Sequence, residues 1–452
     1  MRSARLTLVA LLALTFTLPA TLSASTPGKS SINFMHDDYA KALKEAKAKN
    51  VPLFVEAWAT WCHSCRSMQA YVFPDPKLVP YGSKFIWVGI DIDKAQNAAI
   101  KKKFVIEGVP SFFIVDPADD SVALRWLGSA TVPQLMEILD DGANAVAKKG
   151  EQRVDKALAK ADKLYAAGKN AEASVAYQDA LAKAPKGWSR YGRTTESLLF
   201  ALQSSGQYGT CVARASREYP KFKNSSSAMN IAALGLDCAL SLGNDVVQRA
   251  ADVAKFEGIA REAMDNSRVV VAADDRSGLF ITMMGARSDA GDTAGAKAIA
   301  KEWAAFLERE ASKATTPEAR AVFDSHRLSA YIELGEPERA VPMLEQSAKD
   351  FPDDYNPPAR LAATYKAMGK FEDAVRFADL ALSRAYGPRR LTIFRTKSDA
   401  QTGAGDMEAA RSTIEAAIAE AEAFPEGQRS DRTIAALKDK LASLDVKKAA
   451  TQ

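Results

Sequence analysis

The chain has 452 residues, 47% of them apolar and 26% charged, with a formal net charge of +4. That length makes room for two or three domains, and the composition is that of packed globular protein, which excludes wholesale disorder. A chain so close to neutral gives no electrostatic reason to expect nucleic acid or an anionic membrane as partner.

Residues 1–24 read as a secretory signal peptide. Arg2 and Arg5 form a basic start, residues 6–18 carry no charge, and Ser23, Ala24 and Ser25 are small enough for cleavage near Ala24. The alternative is an uncleaved anchor, but the apolar run is too short to span a bilayer comfortably. No later stretch is apolar enough to cross a membrane. The mature chain is therefore expected to lack a membrane span and to be secreted or periplasmic, where disulfides persist.

Residues 25–149 alternate strand and helix patterns. Asp37 or Asp38 can cap a helix running to about Asn50. An apolar run at 52–58 reads as a buried strand, and a helix pattern starts at Cys62 with Cys65, Met68 and Val72 on one face. A second strand spans 85–92, followed by a basic helix near 94–104. Segments 111–115 and 122–127 flank an Asp/Pro-rich turn and read as a hairpin, and a last helix covers about 131–146. This order implies an α/β domain, a mixed sheet layered by helices.

Residues 150–452 have another texture: strand signals vanish and alanine becomes dense. Glycines recur at 168, 206, 243, 291, 335, 369 and 405, most with a small residue five positions on. The pattern resembles the tetratricopeptide repeat, a helix–turn–helix of about 34 residues. The best copies lie at 154–185 and 353–388, the copies from about 224 to 312 are longer and degenerate, and 431–446 reads as a closing helix. An all-α repeat array suited to holding a protein or peptide ligand is expected.

Four cysteines are too few for a disulfide scaffold. Cys62 and Cys65 form a C-x-x-C at a strand-to-helix junction, where free N–H groups and the helix dipole favour thiolate. One turn separates them, close enough to form a disulfide. The competing readings are a structural disulfide or half a zinc site, and no second C-x-x-C or His pair completes the latter. Copper carriage would need a longer C-x-x-x-C and a distant His, with only His36 and His326 at hand. No metal or other cofactor is expected. Cys211 and Cys238 fall at or near small-residue positions of neighbouring hairpins and are expected to pack as free thiols, the alternative being a disulfide between them. The lysines at 101–103 are expected to be a solvated helix face.

The motif Trp58-Ala59-Thr60-Trp61-Cys62-His63-Ser64-Cys65, with Glu56, the Val109-Pro110 pair and Gly128, resembles the thioredoxin superfamily over about residues 30–148. The stretch 71–76, Tyr-Val-Phe-Pro-Asp-Pro, is most similar to the C-terminal thioredoxin-like domains of bacterial disulfide-reducing transmembrane proteins. The resemblance implies that Cys62 attacks and is the more exposed sulfur, that Cys65 resolves, and that Glu56 exchanges protons with Cys65. It implies a cis Pro110 which, with Val109, Trp61, His63 and Ser64, shapes the groove for a partner chain. His63-Ser64 replaces the Gly-Pro of thioredoxins proper, and residues 85–90 hold no lysine. His63 is expected to be an exposed residue with only an electrostatic effect on Cys62. The function expected is extracytoplasmic thiol–disulfide exchange with protein thiols and disulfides, the repeats holding the partner. The alternative is an interaction scaffold with a vestigial redox domain.

Overall fold

The computed structural model describes residues 32–106, 108–147 and 153–451, with side chains to Leu444. The signal-peptide region and the join between the halves near residue 149 lie outside the described residues.

Five strands build one sheet: β1 (Phe34–His36), β2 (Leu53–Trp58), β3 (Ile86–Asp91), β4 (Ser111–Asp116) and β5 (Ser121–Leu127). Their order is β1-β3-β2-β4-β5, parallel from β1 to β2 and antiparallel from β2 to β5. The expected hairpin is β4–β5. β1 was not expected, because three residues are too few to show an alternating pattern. Helix α1 (Tyr39–Lys49) is capped by Asp38, whose carboxylate accepts from the Lys41 N–H, and ends on left-handed Asn50. Helices α2 (His63–Ser67), α3 (Ala98–Lys103) and α4 (Val132–Val146) follow, the last opened by a Thr131–Gln134 capping box.

Because side chains alternate along a strand, both sheet faces can be apolar and covered. One face packs Phe54, Trp87, Phe112 and Trp126 against Leu135, Ile138 and Leu139 of α4. The other packs Val55, Ala57, Val88, Ile90 and Phe113 around Tyr39, Phe104 and the two motif cysteines. Every buried residue of these two clusters lies between 32 and 139.

Sixteen helices follow among the described residues, from Arg153–Ala166 to Asp431–Thr451. The expected copy at 154–185 is the pair Arg153–Ala166 and Asn170–Lys183, turned at Gly168, whose φ of +71° is open to glycine without strain. Ala173 and Tyr177 are fully buried, so the small residue admits the neighbouring helix.

Cys211 and Cys238 correct an expectation. They are not free: they form a disulfide between helices Tyr208–Phe222 and Ser227–Leu240. The two helices are consecutive and packed. The small-residue positions that let them approach bring the Cα atoms to 6.2 Å, inside bridging range.

Candidate active site

Cys62 caps α2. Its Sγ accepts from the Cys65 N–H at 3.1 Å, and the two sulfurs are bonded. β2 delivers the motif to this point: Ala57 pairs with Ser111, so the residues just before β4 lie beside the turn that leads into Cys62. Those residues are Val109 and Pro110, joined by a cis peptide bond. Pro110 is buried and Val109 partly so. Glu56 lies in β2 between Gly89 of β3 and Phe112 of β4. It is buried, its Oε1 has no hydrogen-bond partner, and burial pushes its carboxyl up to about 8. A carboxyl with that value exchanges its proton close to neutral pH.

Residues 34–117 match the thioredoxin-like family profile, and residues 331–392 match the tetratricopeptide repeat. The N-terminal domain is thioredoxin-like. The thiol:disulfide interchange protein DsbD of Pseudoalteromonas atlantica is 33% identical over 82 residues, 18% of this chain and 14% of that protein. The chain thus spans about a seventh of that relative's length. The chloroplastic thioredoxin-like protein CITRX of Solanum lycopersicum is 26% identical over 137 residues, 28% of this chain and 76% of that one. A solved tetratricopeptide repeat protein from Parabacteroides merdae aligns with 64% of this chain and 98% of its own at 10% identity, with a TM-score of 0.42.

The thioredoxin-like domain does not present its redox face freely. Cys62 is 3% exposed and Cys65 not at all. The repeats reach that face at several points. Asn356 donates to Thr60 Oγ1, Arg66 pairs with Asp354, and Tyr71 donates to the Ala319 carbonyl. Trp61 packs against the buried cluster that holds Tyr355, lies under the Arg389 guanidinium, and donates its N–H to Asp93. Farther round, Gln428 donates to the Ile92 carbonyl, Tyr386 to Asp91, and fully buried Arg125 of β5 to the Tyr165 carbonyl.

His63 departs from expectation. It is not a free surface residue: its side chain is 32% exposed, and its Nδ1 lies 2.7 and 2.8 Å from the two carboxylate oxygens of Asp274. Its ring centroid is 3.8 Å from that of His326. The reason is the helix Ala273–Asp289, which packs on α2. Burial, with His63 alongside, lowers His326 to about 3, so its imidazole is neutral. Ser64 is partly buried, its Oγ 3.3 Å from His63 Nδ1. The lysine face is also more engaged than expected: Lys101 is half-buried and held below its usual range by desolvation, and Lys102 pairs with Glu426 of the array.

Asp274, His326, Asp354 and Tyr355 have no motif that marks them. One signal was present. The chain has three histidines, and two of them meet at the redox helix.

Proposed function

We propose that this protein is an extracytoplasmic thiol–disulfide oxidoreductase acting on protein partners, and that its repeat array sets which partners reach the redox pair. The observation that carries the reading is the C-x-x-C disulfide at the start of α2, with the cis Val109–Pro110 bond just before β4 and the buried Glu56 carboxyl, raised to about 8, in the preceding strand β2.

In the reducing direction, the Cys62 thiolate attacks a partner disulfide and releases one partner thiolate. Cys65 gives its proton to the Glu56 carboxylate and attacks Cys62. The second partner thiolate leaves, and Cys62–Cys65 closes. A reduced dithiol protein then returns two electrons. The reverse sequence oxidises a partner through the same mixed disulfide. Helix-capping geometry supports thiolate at Cys62. The extracytoplasmic location rests on the basic, apolar and small-residue pattern of residues 1–24. The resemblance of residues 34–117 to part of DsbD supports exchange with other thiol proteins.

The test is to purify the Cys65→Ser protein from its native compartment and identify what remains disulfide-linked to Cys62. A partner released by reductant supports the reading and names the protein that exchanges with Cys62. The second reading, an interaction scaffold, is favoured by the array seated on Trp61 and His63. It predicts no trapped partner and no reduction of a generic protein disulfide by the dithiol form.

A further inference from the structure

Two histidines and an aspartate converge where the redox helix meets the array, each from a different element. His63 begins α2, Asp274 lies in the first turn of Ala273–Asp289, and His326 lies in Asp324–Leu334. One ligand atom from each falls within 4.8 Å of the other two. We propose that His63, Asp274 and His326 form a binding site for a divalent first-row transition ion such as zinc, which fastens the redox helix to the repeats. This site is independent of the redox reading, since none of its ligands is a sulfur.

The donor set has the right chemistry. Two imidazoles and a carboxylate suit zinc and its first-row neighbours, and three protein ligands leave one position open. Asp274 is 1% exposed and His326 is 4% exposed, while His63 opens toward solvent. The free position would therefore face outward past His63.

The spacing is close to what an ion needs. Bonds of about 2.0–2.2 Å put ligand atoms roughly 3.3–3.6 Å apart. One ligand atom each of Asp274, His63 and His326 lies within 4.8 Å of the other two, and the Asp274–His63 approach is a 2.7 Å hydrogen bond. The ion would replace the proton in that bond, and small rotations of the partly exposed His63 ring supply the difference.

A supporting shell is also in place. Trp303 Nε1–H donates to Ser277 Oγ, which lies 2.7 Å from His326 Nδ1. This fixes the buried ring and leaves Nε2 as the remaining donor, the arrangement by which outer partners orient metal-binding histidines. Charge agrees with the assignment: Asp275 adjoins Asp274, and the nearby cations Arg66 and Arg360 are matched by Asp354 and Asp324.

The experiment uses the full-length protein with both disulfides closed, so that no thiolate can capture metal. Cobalt(II) is titrated and followed by visible absorption, then displaced with zinc, and melting temperature is recorded with zinc alone. One equivalent of cobalt with d–d bands and no intense near-ultraviolet sulfur charge transfer, plus a zinc-dependent rise in melting temperature, is expected. His63→Ala, at the partly exposed position, keeps the fold and abolishes binding, as do Asp274→Asn and His326→Ala. Ser277→Ala weakens binding by roughly 10–100-fold. No binding to the native protein, or binding that survives His63→Ala and Asp274→Asn, overturns the site.

Discussion

Thr60 Oγ1 donates to Tyr355 Oη at 3.0 Å, tying the turn before the redox pair to the N-cap of a repeat helix 295 positions away. The thioredoxin-like domain thus has a partner on its reactive face, and that partner is the rest of its own chain. Much of the contact is polar and partly exposed, the character of an interface that can open.

Access to Cys62–Cys65 should therefore depend on how tightly the array sits. Gly387 marks one place where its backbone presses close: with φ +61°, a Cβ there would lie 1.9 Å from the Asp93 carbonyl oxygen. Backbone cannot rotate out of the way as a side chain can. Gly387→Ala should push the array outward and cost about 1 kcal/mol or more from the left-handed backbone alone. Reduction of Cys62–Cys65 by a protein reductant should become several-fold faster, while reduction by a small phosphine changes little. Equal effects on both reductants would mean the array does not screen by size.

Once reduced, the two cysteines should behave differently. Cys62 sits at the first N–H groups of α2, and Cys65 lies one turn inside. Alkylation of the Cys65→Ser protein should report a Cys62 pKa below the free value of about 8.5. The Cys62→Ser protein should label slowly across the same range. Similar rates at both positions would remove the distinction between attacking and resolving sulfur.

The redox motif and its cis-proline partner were legible because their signals are local: a spacing of three, a strand run before it, and a Val-Pro pair opening another strand. The alternating sheet and the glycine-punctuated helices were legible for the same reason, each element carrying its own periodicity. The contacts of His63 with Asp274 and of Thr60 with Tyr355 were not. Each joins residues more than 200 positions apart, and neither Asp274 nor Tyr355 stands in a pattern of its own. The Cys211–Cys238 bond is only the second reading of the sequence, because small residues at a helix crossing signal close packing whether or not two of them are sulfurs.

Glu56 gives the chain a defined pH response. The unfolded chain releases this proton near the ordinary 4.5, and the folded chain holds it to about 8. Between those values the native state binds more protons, so stability must fall as pH rises. The slope is at most about 1.4 kcal/mol per pH unit for one group. Denaturant unfolding from pH 5 to 8 should show it in the wild type and not in Glu56→Gln. The same substitution should slow release of mixed disulfides and erase an inflection near pH 8 in the exchange rate. Parallel stability curves for the two proteins would show that Glu56 does not hold its proton.

The Cys211–Cys238 bridge should persist in the purified protein. Alkylation in denaturant without reductant should leave both positions unlabelled. Closing a loop of 27 residues constrains the unfolded chain by roughly 3–4 kcal/mol. The double Cys211→Ser, Cys238→Ser variant should lower the denaturant midpoint accordingly, without altering exchange at Cys62–Cys65. Two labelled thiols in the native protein would contradict the bond.

Separating the halves tests the role of the array directly. The two apolar clusters around the sheet draw their buried residues from 32–139 alone, and the largest repeat cluster begins at Ala157. A unit of about 125 residues can bury a sufficient core by itself. A fragment of residues 25–149 should therefore fold. It should be less stable than the same domain in the full chain, because Arg125 loses the Tyr165 carbonyl and ring that hold its guanidinium. Its reactive face should be open: Trp61 loses the cover of the cluster around Tyr355, and His63 loses Asp274. On a generic protein disulfide the fragment should therefore outpace the full-length protein. On the partner trapped by Cys65→Ser the order should reverse, since an array that yields to that partner also holds it close, raising its effective concentration toward the millimolar range. A folded fragment that is faster on both substrates would leave the repeats as a cover and nothing more.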